Sequence, residues 1–241
     1  MNFIFKFVLM AFHLILALIL CVAMVMLPRN VRHMLIQYWA KRLLRILKIK
    51  ITLSGEVLKF LSKDSYLVVS NHISWLDIPV IFSLKPITFV SASDVKTWPV
   101  IGMLARISGA IFVDRNRKSS LIEVIQAMNH HFKNEKQSIC IFPEGITPNG
   151  YQVLPFKSNL FQSAFESNKL LLPLSIKYKE NNVLTNRTSF HGSTTLFQSF
   201  KRVAKSNLIE VFVDIGHPVR PSQSRKDLSL KIQEAIALKI N

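Results

Sequence analysis

Apolar and polar positions along this chain fall into two regimes. Residues 7–27 are apolar almost without interruption, with His13 the only strongly polar side chain. As a helix those 21 residues reach about 30 Å, the thickness of a bilayer core. Pro28 and Arg29 end that run. Over 31–51, Met34, Leu35, Tyr38, Trp39, Leu43, Leu44, Ile46 and Leu47 recur at spacings near three and four, with Arg32, Lys41, Arg42, Arg45, Lys48 and Lys50 between them. That is the pattern of an interfacial helix on anionic lipid, and an amphipathic core helix shares its period.

Beyond it, short apolar runs alternate with helix-period segments. The pattern predicts strands at 66–70, 87–91, 110–114, 138–142, 170–178 and 210–215, and helices at 77–84, 98–107, 119–133, 157–166 and 227–240. Ser119 and Ser120, followed by Glu123, give the third of these helices a capped start. The interval 179–206 is polar and reads as a long loop, with room for a short helix near 196–203. Near-continuous apolar strands alternating with helices argue an α/β fold. The expectation is a single domain, 53–241, with a mixed, mostly parallel sheet covered by helices. It is preceded over 1–52 by a membrane helix or a two-helix membrane motif.

Charge changes this picture little but points it toward a partner. Lys and Arg number 31 against 14 Asp and Glu, a formal charge of +17. Such an excess suits nucleic acid or an anionic membrane surface. The apolar N-terminus favours the membrane, and no nucleic-acid-binding motif is present. A secretory signal is a competing reading of 7–27, but the stretch is longer than a signal core and no small-x-small cleavage site comes after it. Cations gathered after the first helix place the remainder on the cytoplasmic face; a helical hairpin dipping into one leaflet fits as well as a span. Cys21 and Cys140 lie in apolar runs and suggest neither a disulfide framework nor a metal site. His130 and His131 sit at the polar end of a helix and read as solvated, so no metal ligands are expected.

The candidate chemistry gathers at strand exits. Asn71-His72-Ile73-Ser74-Trp75-Leu76-Asp77 comes directly after the first strand of the domain. A neutral imidazole there can take a proton from a hydroxyl, while Asp77 fixes its tautomer and steadies the imidazolium. Alone the pair is weak, since seven His and six Asp in 241 residues produce roughly one accidental pair of that spacing in six such chains. Two further segments give it weight. Residues 137–142 read as a buried strand running into Pro143-Glu144-Gly145, and 109–115 as another that ends in the cation Arg115.

The blocks NHISWLD (71–77), GAIFVDR (109–115), FPEG (142–145) and LLPLSI (171–176), in that order, resemble the glycerolipid acyltransferase family, best known for the 1-acylglycerol-3-phosphate acyltransferases. The resemblance covers roughly 66–178, and IEVFVDIGHPV (209–219) looks like the family's closing strand. It implies an O-acyltransferase of membrane phospholipid synthesis, at the cytoplasmic face of a membrane, with no bound cofactor. A fatty acyl group passes directly from an acyl thioester, on coenzyme A or acyl-carrier protein, to a lysolipid hydroxyl. No G-x-S-x-G nucleophile elbow is present. By the same resemblance His72 is the base and Asp77 its orienter. Arg115, Glu144, Gly145 and, more weakly, Lys157 contact the acceptor, with Asn71 buttressing the His72 turn and Trp98, Pro99 and Gly102 matching through packing.

Two departures bear on the acceptor. Where family members that form phosphatidic acid carry an Arg after the FPEG block, this chain has Thr147, and Ala92 stands where those members carry a Lys. Each missing charge-assisted contact is worth on the order of 1.5–3 kcal/mol. Lysophosphatidate and larger-headed acceptors, lyso-ornithine lipid among them, therefore stand side by side. A catalytically silent lipid-binding protein on the same scaffold is the rival from another class.

Overall fold

The computed structural model describes residues 3–98, 100–114, 116–222 and 224–240. In chain order these form α1 (Phe3–Met24), α2 (Arg29–Ile46), β1 (Ile49–Gly55), α3 (Val57–Leu61), β2 (Leu67–Ser70), α4 (Asp77–Leu84), β3 (Thr88–Ala92), α5 (Ile101–Ile107), β4 (Ile111–Val113), α6 (Lys118–Asn134) and β5 (Ile139–Ile141). The remainder forms α7 (Gln162–Glu166), β6 (Leu171–Glu180), β7 (Val183–Leu184), α8 (Leu196–Lys205), β8 (Ile209–Ile215) and α9 (Arg225–Ile240). The strands make one sheet in the order β1-β8-β6-β2-β5-β3-β4, with β7 appended to β6. β6 runs antiparallel to β8 and to β7; the remaining pairs are parallel. The mixed, mostly parallel sheet is as expected.

Alternation along the central strands explains why both faces are covered. Val68, Cys140, Leu172, Leu174 and Ile176 point into a core shared with α1, α2 and α4. Leu67, Val69, Ile139, Ile141 and Leu171 point into a second core closed by α6 and α9. The parallel set β2, β5, β3 and β4 also has a consequence for function. Their carboxyl ends leave the sheet along one edge, which brings together the turns after residues 70, 92, 113 and 141. In α/β sheets this edge is where ligands sit.

Several details differ from the sequence reading. β1 pairs in register with β8 from Ile49↔Ile209 to Gly55↔Ile215, so it crosses the expected boundary at 52/53 and the sheet begins at residue 49. β1, β7 and α3 have no counterpart among the expected elements, while α8 stands where the long polar interval left room for a short helix and runs two residues further. The start of α6 is not capped by its serines: the helix begins after Arg117 without a side-chain cap. Instead Ser120 Oγ accepts from the Asp114 N–H (2.8 Å), and Glu123 pairs with Arg117 (2.6 Å). His131 is buried rather than solvated, and burial lowers it to about 4.

α1 lies along the domain. Met10, His13, Ala17, Cys21 and Met24 form its buried stripe at helical spacing, and His13 stacks on Trp39 of α2 with ring centres 4.9 Å apart. On the other side Ile4, Val8, Phe12, Ile15, Ile19 and Val22 are all exposed. Ile4–Met24 is long and apolar enough to cross a membrane.

Candidate active site

The His72 turn is shaped by a side chain that imitates backbone. After Ser70 pairs with Leu174, β2 leaves the sheet. Asn71 then takes the vacated place beside β6: its Nδ2 donates to Ile176 O (2.9 Å) and its Oδ1 accepts from Ile176 N–H (2.8 Å). The strand thus ends in a sharp turn without leaving those β6 groups unpaired.

Asp77, fully buried at the start of α4, organises the loop between Asn71 and the helix. Its Oδ2 accepts from the N–H groups of Ile73 (2.7 Å) and Ser74 (2.9 Å) and from His72 Nδ1 (2.8 Å). Its Oδ1 accepts from the Tyr178 hydroxyl (2.7 Å). With two backbone donors already on Oδ2, His72 Nδ1 must carry the proton, which leaves Nε2 with its lone pair free to act as a base. Burial and the neighbouring Asp77 hold the Tyr178 phenol well above its usual range, so it stays a donor. The His72 ring stacks on Phe142 at 4.1 Å and 18°. The aromatic face fixes the plane of the ring.

Glu144 takes a place the sequence does not reveal. Both of its oxygens face backbone: Oε1 accepts from the His72 N–H (2.7 Å) and Oε2 from the Leu154 N–H (2.8 Å). It is 3% exposed and lies behind the cavity wall. Burial, opposed by these two hydrogen bonds and aided by Asp77, raises its carboxyl to about 7. Through these two hydrogen bonds it braces the His72 turn. Gly145 has φ +74°, and a Cβ there would lie 3.1 Å from Lys157 Nζ. Glycine therefore leaves room for the lysine amine, and Lys157, its N–H donating to Pro143 O (2.9 Å), lines the cavity. Arg115 lies outside the described residues.

The cavity above His72 measures about 940 Å³, at the upper end for small-molecule sites and roomy enough for an acyl chain with a head group. Ile36, Trp39, Ala40 and Leu43 of α2, with Ile78, Pro79 and Phe82 of α4, wall it on the apolar side. Lys41 and Arg45, on the same α2, are exposed, so α2 both packs on the domain and presents cations outward. The opposite wall includes Ala92, Thr147, Lys157 and Phe190. The Thr147 hydroxyl donates to Phe190 O, and Phe190 N–H donates to Ile73 O (3.0 Å). Thr147 thus ties the 185–195 segment over the site, and Trp98 meets the Phe190 ring edge-on at 5.9 Å. Among the described residues no group of His, Cys, Asp and Glu side chains clusters as metal ligands do.

The sequence singled out His72, Asp77, Gly145 and Lys157, which the fold brings to one sheet edge. Tyr178 and the Thr147 tether escaped it, because their partners lie far away in sequence; Tyr178 stands 101 positions from Asp77. Comparison with known proteins identifies the family and the fold. A sequence model of the Acyltransferase family matches residues 49–177. The chain is 32% identical over 210 residues to a lyso-ornithine lipid O-acyltransferase of Pseudomonas aeruginosa, covering 86% of this chain and 78% of that one. It is 31% identical over 176 residues to a 1-acyl-sn-glycerol-3-phosphate acyltransferase of Neisseria gonorrhoeae, covering 72% and 68%. The crystal structure of PlsC, the 1-acyl-sn-glycerophosphate (LPA) acyltransferase of Thermotoga maritima, superposes with a TM-score of 0.73 at 20% identity, over 98% of this chain and 91% of that one.

Proposed function

The chain belongs to the Acyltransferase family, and from that premise we propose that it carries a fatty acyl group from a thioester to the free hydroxyl of a lysolipid, with His72 as the base. The observation that carries this reading is the His72–Asp77 pair at the floor of a large, mostly apolar cavity.

In the proposed step the acceptor hydroxyl attacks the thioester carbonyl while His72 Nε2 takes its proton. The tetrahedral adduct expels the thiolate, His72 returns the proton to sulfur, and an ester and a free thiol leave. Asp77 holds the ring from its edge, and Phe142 packs on its face. Proximity supplies much of the rest, since two reactants fixed in one cavity react as if at very high concentration. Lys157 and Arg115 are the cations assigned to an anionic head group, Gly145 gives Lys157 room, and Glu144 acts on the acceptor only through the His72 turn. The donor thioester is on coenzyme A or acyl-carrier protein. α1 and α2, within the 1–52 segment, form the anchor: the exposed apolar face of α1 meets lipid and the outward cations of α2 meet its anionic surface, with the domain on the cytoplasmic side.

The acceptor wall favours a second reading of the head group. Ala92 carries no charge and Thr147 is engaged by Phe190, so neither grips a phosphate, which suits lyso-ornithine lipid at least as well as lysophosphatidate. The test is a mass-spectrometric acyl-transfer assay on membranes containing the protein, offering both thioesters against lysophosphatidate, larger-headed lysophospholipids and lyso-ornithine lipid. Product lost by about 10³-fold in His72→Ala is expected, and the preferred acceptor decides between the head groups. Product undiminished in His72→Ala would remove the base from His72; no product with any acceptor would leave a silent lipid-binding scaffold.

A further inference from the structure

The outward face of α8 carries chemistry that the acyl-transfer site does not use. The helix opens on a reciprocal cap: Thr195 Oγ1 accepts from Gln198 N–H (3.2 Å) and Gln198 Oε1 accepts from Thr195 N–H (3.0 Å). Ser199, Phe200, Val203 and Ala204 are buried. That leaves Phe197, Lys201 and Lys205 exposed at successive four-residue steps along one stripe. Phe197 is 60% exposed, and the helix contains no acidic residue. An outward aromatic followed by cations, with no acid on the helix to pair them, leaves most of its apolar surface in water. It is the face of a helix that rests among lipid head groups.

The Phe7 ring joins this stripe to the exposed apolar face of α1. Phe7 of α1 meets Phe197 edge-on at 6.4 Å and tilts against Phe200 at 6.2 Å, so Phe197 continues the apolar face of α1. At the other end of α8, Lys6 Nζ donates to Ser206 O at 2.6 Å. Leu196, next to Phe197 in the chain, lines the catalytic cavity. α8 therefore touches both the apolar face of α1 and the wall of the cavity.

We propose that α8 is a membrane-contacting element beside the α1–α2 anchor, in which Phe197 enters an anionic bilayer and Lys201 and Lys205 hold its head-group phosphates, turning the cavity toward the leaflet. The inference rests on the reading of α1 as the anchor but not on the identity of the acceptor. Charge sign selects anionic lipid over neutral lipid, and the contiguous apolar surface favours a bilayer over nucleic acid.

The experiment uses the full-length chain with Phe197→Cys carrying an environment-sensitive fluorophore; native Cys21 and Cys140 are buried. A control label goes at Leu230, exposed on α9 across the sheet from α1. Vesicles contain phosphatidylcholine with or without phosphatidylglycerol, and nitroxide-bearing lipids serve as quenchers. A blue shift at position 197, with quenching at least about threefold above the Leu230 control and weakened by Lys201→Glu/Lys205→Glu, is expected when phosphatidylglycerol is present. The same double variant should raise KM several-fold for lysolipid offered in anionic vesicles and leave turnover in detergent micelles unchanged. A label at 197 as solvated as the control, on vesicles that nonetheless bind the protein, overturns the proposal, as does fluorescence that responds to DNA but not to lipid. Strong quenching in a protein that acylates no lysolipid would uphold the docking and remove the lysolipid reading instead.

Discussion

The floor of the cavity and its acceptor wall are built on opposite principles. On the floor, Asp77 serves four donors, Asn71 two backbone groups and Glu144 two more. Each polar group there is held from several directions, so the position of His72 is over-determined. On the acceptor wall, Ala92 offers nothing polar, and Thr147 spends its hydroxyl tying down a loop. Under the proposed function the difference separates two tasks: the chemistry rests on a network that resists change, and acceptor choice on side chains that can be exchanged with little harm to the fold.

Three variants test that contrast, in decreasing order of effect. Asp77→Asn strikes the centre of the floor. An amide nitrogen cannot accept, so at least one of four donors loses its partner, at about 1–3 kcal/mol, and the ring loses its fixed tautomer. A fall in kcat of roughly 10²–10⁴ is expected, with a lower melting temperature; wild-type kcat in single-turnover kinetics would refute the arrangement.

Glu144→Gln probes the brace. One backbone N–H is left facing an amide nitrogen, a loss of about 1–3 kcal/mol in stability. The pH dependence has a definite sign. Folded Glu144 keeps its proton to about pH 7, against 4.5 for the ordinary group, so its contribution to stability is complete below the lower value and disappears as pH rises through the higher. Denaturant midpoints should therefore decline less steeply across that range in the Gln variant, and parallel profiles would show that Glu144 does not titrate there. Thr147→Val should do least. Losing the tether to Phe190 should lower stability by about 0.5–1.5 kcal/mol and change KM for the acceptor a few-fold while kcat holds; a collapse of kcat would place Thr147 on the floor rather than the wall.

Legibility in the sequence divides along the same line. The strands of the central parallel set are apolar runs bounded by turns, legible because burial on both faces demands it. His72 and Asp77 are legible because they are local, five residues apart. β1 is hidden because Lys50, Thr52 and Ser54 interrupt it and β8 alone gives it an edge to pair with. The serine cap expected on α6 fails because Asp114 and Arg117 claim Ser120 and Glu123 first. Glu144 looks like a ligand contact because a carboxylate on a strand-end turn gives no sign that the His72 and Leu154 amides will reach it. Partners brought by tertiary structure are what local pattern cannot announce.

The network around Asp77 and Asn71 also sets a clock on biosynthesis. Tyr178 and the Ile176 backbone lie 101 and 105 positions beyond the residues they hold. At ribosomal rates of about 5–20 residues per second, that interval lasts roughly 5–20 s. For that time the nascent chain already carries the apolar α1, while its histidine has neither the finished turn nor the fully held carboxylate. With α1 as the proposed anchor, delivery to the membrane can thus precede competence, so that the enzyme ripens only after its address has been read.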